Sequence, residues 1–587
     1  MKEIIINAGS ARYLSELKEF KDGIPFGVIN KGKPDVGGTY SAMNCDFNYI
    51  VVCPYRDLVE SLYEDKNNKY EVFRCYGGIK EGDFKKYDSP VKKIAVTFDS
   101  LPKLMKWINP DEYKIVVDEY HTILSEMDFR EDAINGLLDN ITKFKHFSFL
   151  SATPISTDFE IDFLKELPHY IVNWDCYEKI NLRAYPTSSM VKSIATIIKR
   201  FLDEGIALPD INGETKRVEE LYIYLNSVTD IKQILDTLEI EPDIVKICCA
   251  SRLRNQQILD KYEIESATAP NKQINFFTKK GYQGCNLFTN NGLVIVGSNG
   301  HKEHTLVDIS TDLEQISGRI RFNDESQNCF RNTIIHLYCG NSNILSDDEF
   351  EALIKETDDR AKLAISGAKK LSSDELDAFM KNKNIDGEFY SYVDNKIIYN
   401  DNKKVNVLFK RELSKSYKDT LCYRKSAEKS NKFNVSIQEY WNDFDVKMKA
   451  ATTFSYKQML QDYLENPTKR YEIEFPEFKL IRQYLKVSEM NTLKWVKDKL
   501  IKAANDKKEM QYVFNDIYKE GFITCAELKE KIRKGFEDRG ITLTPKATLI
   551  KQALFFDAEK KSKKINGKTV DGYELSNFKS YLFNTAF

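Results

Sequence analysis

The chain of 587 residues predicts an α/β fold with two consecutive parallel-sheet domains. Three observations carry that prediction. Five short apolar strands, separated by helix-like segments, fall between about residues 24 and 155, and a second series of five falls between 220 and 340. Beyond about 341 the pattern shifts to polar, lysine-rich helical segments. Short strands rich in β-branched and aromatic residues, alternating with helices, are the signature of parallel sheets covered on both faces.

In the first series "FGVIN" (26–30), "NYIVVCP" (48–54), "IAVTF" (94–98), "KIVVDE" (114–119) and "HFSFLSA" (146–152) read as strands, with "RDLVESLYED" and "REDAINGLLDNITKF" as helices between them. The second series is "ELYIYLN" (220–226), "DIVKICCA" (243–250), "KQINFFT" (272–278), "NGLVIVGS" (291–298) and "NTIIHLYCG" (332–340). The join is expected near 175–215, where "LRAYPTSSM" and "LPDINGETKR" supply turn chemistry. Four domains are therefore expected: 1–185, 186–345, a mostly helical region at 346–505 with a strand pair in "SYVDNKIIYNDNKKVNVLF", and 506–587. No repeat of fixed period and no low-complexity tract is present.

Composition narrows the function classes. With 42% hydrophobic and 30% charged residues, this is the balance of an ordinary soluble globular protein. Apolar runs are strand-length, too short to span a membrane, and "MKEIIINAGS" lacks the apolar core of a secretory signal. Eleven scattered cysteines form no C-x-x-C pair and six histidines show no ligand spacing, so the reading is a cytoplasmic chain with reduced thiols and no zinc site. Net charge is −2, yet residues 541–587 hold eight lysines against four acidic residues, clustered in "KKSKK" at 560–564. Such a patch suits either a nucleic-acid footprint or a solvated face.

Four motifs carry chemistry. "NKGKPDVGGTYSA" (30–42) matches G-x-x-x-x-G-K-[ST] at Gly32, Gly37 and Thr39, but Gly38 occupies the lysine position. "KIVVDEYHT" (114–122) ends an apolar strand in Asp118-Glu119. One carboxylate there can hold Mg²⁺ while the other orients and deprotonates an attacking water. "FLSATPIS" (149–156) ends a strand in small hydroxyl residues, Ser151 and Thr153, able to bond the neighbouring carboxylates. "DLEQISGRIRF" (312–322) supplies Gln315, Arg319 and Arg321, with Gln315 and Arg319 on one helical face. Arginines reaching a nucleotide from a second domain stabilise charge on a transferred phosphoryl group.

In this order the motifs resemble a superfamily 2 helicase of the D-E-x-H type, over roughly residues 24–340. The resemblance implies two tandem RecA-like domains closing over ATP and Mg²⁺, with Thr39 and Asp118 on the metal. It also implies nucleic-acid contacts in "VVCPYRDLVESL" (Pro54, Arg56), "VTFDSLPKL" (Thr97, Ser100), "IYLNSVTDI" (Asn226) and "TKKGYQGCN" (Thr278, with Gly284 and Asn286 toward the nucleotide). The chain departs from the family at Gly38, at the bulky Tyr120, and in lacking an adenine-reading glutamine. Loss of the loop lysine removes charge from the β/γ-phosphates. Lys31 and Lys33 flank Gly32 and can supply it, Lys31 being favoured; the competing reading is a dead ATPase kept as a DNA-binding adaptor.

At the C-terminus, Thr524 is placed as an N-cap, Gly540 as a helix stop, and Thr544-Pro545 as the start of a second helix. Two strands flank Asn566-Gly567, a two-residue hairpin signal. This looks like a winged-helix domain, which implies Lys546 and Lys551 on a recognition helix and Lys561, Lys563, Lys564 and Lys568 along the wing, all toward duplex phosphates. The combination is similar to origin-binding replication helicases of phages, viruses or mobile elements; an RNA helicase is the alternative.

Overall fold

The computed structural model describes residues 2–579 apart from 35, 176–177, 211, 283–285, 322–325, 381–386, 394, 453, 542 and 566–567, and apart from the side chains at 128–129, 374 and 377–379. The chain forms two compact units, Met1–Ser251 with Asn255–Thr452, and Arg252–Arg254 with Thr453–Phe587.

The first unit holds two parallel sheets. Strands β1 (Lys2–Asn7), β2 (Gly27–Asn30), β3 (Tyr49–Cys53), β4 (Val72–Cys75), β5 (Lys93–Thr97), β6 (Lys114–Asp118), β7 (His146–Ser151) and β8 (Pro168–Asn173) form a sheet ordered β1-β8-β2-β7-β6-β3-β5-β4. Alternate residues point to opposite faces, so Ile50, Val52, Ile115 and Val117 enter one core while Val51, Ala95, Val116 and Leu150 enter another. Burial on both faces is why these strands read as continuous apolar runs. Strands β1, β4 and β8 escaped the sequence reading because they are only partly buried, two of them at the sheet's edges.

The second sheet is built from β9 (Ile180–Pro186), β10 (Glu220–Leu225), β11 (Val245–Cys248), β12 (Ile274–Phe277), β13 (Gly292–Asn299), β14 (Thr333–Cys339) and β15 (Phe433–Ile437), in the order β11-β12-β10-β13-β14-β9-β15. Two expected boundaries shift. A division at 185/186 cuts through β9, whose "INLRAYP" alternates buried and exposed residues; the turn lies at 187–189, where Ser189 caps the helix Met190–Asp203. The second domain also does not end at 345. After the helix Asp347–Ala368, the hairpin Tyr390–Val393/Lys396–Tyr399 and the helices Asp401–Ser416 and Thr420–Lys429, the chain returns as β15 beside β9.

Only half of the expected strand pair at 391–409 is strand. From Asn400, whose side chain caps the backbone N–H of Lys403, the chain is helical, and Val405 and Phe409 pack four apart on the first domain's core. Asn406 on that helix donates to the Leu124 carbonyl at 2.6 Å. On the other side, the fully buried His336 links Tyr423 Oη (2.7 Å) to Ser298 Oγ (2.9 Å), and Tyr338 stacks on Tyr423. Burial drives the His336 pKa down to about 3, so the imidazole is neutral. The segment 401–437 is thereby fixed to both sheets.

In the second unit, the helices Tyr456–Glu465, Pro476–Tyr484 and Lys497–Ile517 enclose Leu460, Phe478, Ile481 and Leu500. A boundary at 505/506 falls inside the third helix. There follow the strand Gly521–Thr524, the helix Cys525–Asp538 capped by Thr524, and an antiparallel hairpin Asp557–Ile565/Lys568–Ser576 that completes a three-stranded sheet. Gly540 follows the helix at φ +63°, while the Asn566-Gly567 turn lies outside the described residues. The expected second α-helix is a six-residue 3₁₀ segment, Ala547–Gln552, with Lys546 just before it. Only Ile550 in the segment is fully buried, so little packing stabilises a longer helix there. Among the described residues, no helix is long and apolar enough to cross a membrane.

Candidate active site

Strands β2, β7 and β6 are consecutive in the first sheet, so the loops after Asn30, Ser151 and Asp118 meet at one carboxyl edge. The backbone N–H of Lys31 donates to the Ser151 carbonyl at 2.8 Å, and Asn30 Oδ1 accepts from the Gly32 N–H at 2.9 Å. Gly32 (φ +76°) has no room for a Cβ against the Val172 carbonyl, and Gly37 (φ +75°) turns the chain into the helix Gly38–Asn44. Thr39, half-buried, is the second residue of that helix.

Gly38 itself faces the core. A Cβ there would lie 2.5 Å from Cδ2 of the buried Leu150. Lys31 is buried and places Nζ 3.1 Å from Glu119 Oε1 and 3.8 Å from Asp118 Oδ1. Lys33 stacks its ammonium over Trp174, 4.5 Å from the ring centre.

Glu119, in the left-handed region at φ +48°, is the hub of the cluster. Its Oε2 accepts from Ser151 Oγ (3.3 Å) and from Gln315 Nε2 (3.1 Å), a residue of the second domain. Gln315 Nε2 also donates to Thr153 Oγ1 at 3.0 Å, and Arg319 binds both the carbonyl and the side-chain oxygen of Gln315, at 2.9 and 3.2 Å. Lys31, Asp118, Glu119, Ser151, Thr153, Gln315 and Arg319, all expected from the sequence, thus come together. Arg321 stands outside this cluster, with Nε donating to Asn286 Oδ1 at 3.1 Å; Gly284 lies outside the described residues.

The electrostatics divide the two acids. Burial pushes the Asp118 carboxyl above its usual range, only partly countered by Lys31. Burial acts the same way on Glu119, but there Lys31 and Arg319 outweigh it and hold the carboxylate low. Burial also works against the Lys31 ammonium, yet Glu119 and Asp118 more than compensate and raise its pKa, so it stays charged. His121, driven down to about 4 by burial, is neutral near pH 7 and shares a 2.8 Å hydrogen bond with Ser151 Oγ. The place of His121 in "KIVVDEYHT" gives no sign of this contact, because the hydroxyl it meets belongs to another strand.

The expected nucleic-acid residues sit at the carboxyl ends of neighbouring strands. Pro54 follows β3, and Thr97 ends β5 with Ser100 just beyond; all three are buried. Arg56 is exposed, pairs with Glu60 at 3.2 Å and lies over the Tyr76 ring. In the second domain Asn226 and Thr278 follow the adjacent β10 and β12, and the Lys279 N–H donates to Asn226 Oδ1 at 3.1 Å. At the C-terminus Lys546, Lys551, Lys561, Lys563, Lys564 and Lys568 are all exposed. Lys561 pairs with Glu559 at 3.1 Å and Lys563 with Glu574 at 2.8 Å, which offsets part of their charge.

A cavity of about 1420 Å³ opens beside the cluster, reached by Asn30, His121 and Thr153 from the first domain and Glu314 and Lys432 from later in the chain. Lys432 is a further residue the sequence reading missed, because nothing in a linear pattern connects it to a loop 400 residues earlier.

No protein-family model matches the chain, and no curated protein matches it. Among solved structures, it is similar to the Mycobacterium smegmatis helicase Lhr bound to ssDNA and AMP-PNP (12% identity, 54% of this chain and 44% of that one, TM-score 0.34). It is similar also to the Escherichia coli DEAH/RHA helicase HrpB (16% identity, 58% and 43%, TM-score 0.34). A DEAD box protein from Methanococcus jannaschii aligns at 12% identity over 55% of this chain and 84% of that one, with a TM-score of 0.28. The chain spans less than half the length of the Lhr and HrpB chains it aligns with. Likeness at this level decides neither activity nor substrate.

Proposed function

We propose that the chain is an ATP-dependent superfamily 2 helicase or translocase acting on DNA, with two RecA-like domains and a C-terminal winged-helix domain. The observation that carries the reading is the buried cluster in which Lys31 lies against Asp118 and Glu119 while Gln315 reaches Glu119 from the second domain. Burying an ammonium beside two carboxylates is costly unless all are paired, and a site that keeps such a cluster at a glycine-turned loop is suited to a polyphosphate.

Lys31 then supplies the positive charge that Gly38 does not, swinging from the carboxylates to the β/γ-phosphates. Glu119 orients the attacking water and accepts its proton; Arg319, with Arg321 after local rearrangement, balances charge on the transferred phosphoryl group. Asp118 and Thr39 offer the hard oxygen donors that Mg²⁺ prefers. Bound there, Mg²⁺ would neutralise phosphate charge. Gln315, spanning Glu119 and Thr153, reports closure of the two domains to the acid that acts on water.

Pro54, Arg56, Thr97, Ser100, Asn226 and Thr278 would line a single-strand track along the carboxyl edges, and the exposed C-terminal lysines would bind duplex phosphates. The lysine excess favours nucleic-acid binding over protein docking, the winged-helix reading favours DNA over RNA, and the whole suits replication initiation in the cytoplasm of a host cell. ATP turnover measured with and without single-stranded DNA or RNA tests the reading. Stimulated turnover abolished in Asp118→Ala is expected. No turnover by the wild-type chain would leave only a DNA-binding adaptor.

A further inference from the structure

A loop that cradles phosphate turns its backbone N–H groups toward the anion, which leaves its carbonyls needing donors of their own. Two carbonyls after β2 have them. That of Lys31 accepts from Trp174 Nε1 at 2.8 Å, and that of Gly32 accepts from Lys432 Nζ. Trp174 immediately follows β8 of the same domain. Lys432 immediately precedes β15, the last strand of the other sheet. Its ammonium also lies 2.8 Å from Oε1 of Glu314, a 3% exposed neighbour of Gln315 on the helix Asp312–Ser317. One cation therefore joins the phosphate loop of the first domain to the helix that carries Gln315.

The position of each partner decides what this cation can do. Lys432 precedes a strand of the second sheet and Glu314 lies on the helix that carries Gln315, so their ion pair is internal to the second domain. Gly32 belongs to the first domain, so its bond to Lys432 crosses from one domain to the other. At Gly32 the left-handed backbone and the Val172 carbonyl exclude a side chain that might hold the loop from within.

We infer that Lys432 is a positioning residue for the phosphate loop: it fixes the Gly32 carbonyl away from the nucleotide when the cleft closes, and so makes order in the loop depend on closure. This rests on the nucleotide reading of that loop. Lys432 touches no reacting atom; it acts through the orientation of the loop amides.

The test compares wild type, Lys432→Met and Lys432→Arg in the full chain, by ATP KM and kcat and by amide hydrogen exchange across residues 31–38 with and without AMP-PNP. Lys432→Met should raise KM for ATP about tenfold, change kcat less, and lose the protection that AMP-PNP gives the loop. Lys432→Arg, which keeps a long donor, should recover most of both. An unchanged KM with intact protection in Lys432→Met overturns the inference, even if that variant melts earlier. Should Lys432→Met not fold, Glu314→Gln loosens the anchor while keeping the lysine; a rise in KM of about threefold supports the inference, and no rise overturns it. A wild-type chain that binds no AMP-PNP overturns the nucleotide reading, which is a different failure.

Discussion

The cleft and the C-terminal hairpin both gather positive charge, and they do so in opposite physical settings. In the cleft, Lys31 is buried against Asp118 and Glu119, so its position is fixed within a low-dielectric site. Along the hairpin, Lys560, Lys561, Lys563 and Lys564 are exposed, and the partners Asp571 and Glu559 are exposed as well, while Glu574 is partly buried. Charge in the first setting is specific and not replaceable by a neighbour. In the second it is additive, tolerant of substitution, and screened by salt.

Breaking the buried charge should have the largest effect. Lys31→Ala is expected to lower kcat/KM for ATP by about a thousandfold. Lys33→Ala, by contrast, should stay within about threefold, since its ammonium rests on Trp174. Equal losses in the two variants would remove the distinction between them. Next comes Gln315→Ala, which cuts one tie between the domains and should lower kcat by about a hundredfold while leaving ATP affinity nearly unchanged.

The exposed charge predicts a smaller, graded response. Alanine at Lys561, Lys563 and Lys564 together should weaken duplex binding about tenfold at moderate salt and reduce the slope of log affinity against log salt by about one per lysine. Titration of binding against salt measures both. A single substitution that abolishes binding would show that one of these lysines reads more than phosphate.

The smallest effect concerns burial without an adequate cation. Glu160, 1% exposed, has an oxygen, Oε2, that accepts no hydrogen bond among the described residues; the His169 ring lies 3.6 Å from it but is directed to the Leu164 carbonyl. Burial, against a weaker pull from Lys165, raises the Glu160 pKa from 4.5 to about 7. An acid with a raised folded-state pKa stabilises the fold below its unfolded value and loses that contribution as pH rises to the folded one. Stability should therefore fall between about pH 4.5 and 7. Glu160→Gln should melt a few degrees higher than wild type at pH 8 and about equally at pH 4. A pH-independent difference between the two proteins would count against the assignment.

The central strands were legible in the sequence because burial on both faces leaves an unbroken apolar run, as in "YIVVC" of β3. Strand β9 was not, because its alternating "INLRAYP" sits among turn residues, and neither was β15, which pairs with a strand some 250 residues away. At the site, Asp118, Glu119, Ser151, Gln315 and Arg319 were readable as motifs whose spacing is local. Nothing local in the sequence decides between Lys31 and Lys33; in the fold Lys31 Nζ lies against the two acids and Lys33 over the Trp174 ring. Lys432 had no local signal, since its role arises from the return of the chain to a sheet it had left.

That return bears on how the protein can be cut. A fragment ending near residue 345 looks natural from the sequence, yet it would remove β15 and uncover the hydrogen-bonding edge of β9. An open edge of that length invites pairing with another copy. Such a fragment should aggregate, and one extended past Trp441, which continues the pairing at Thr187, should stay monodisperse.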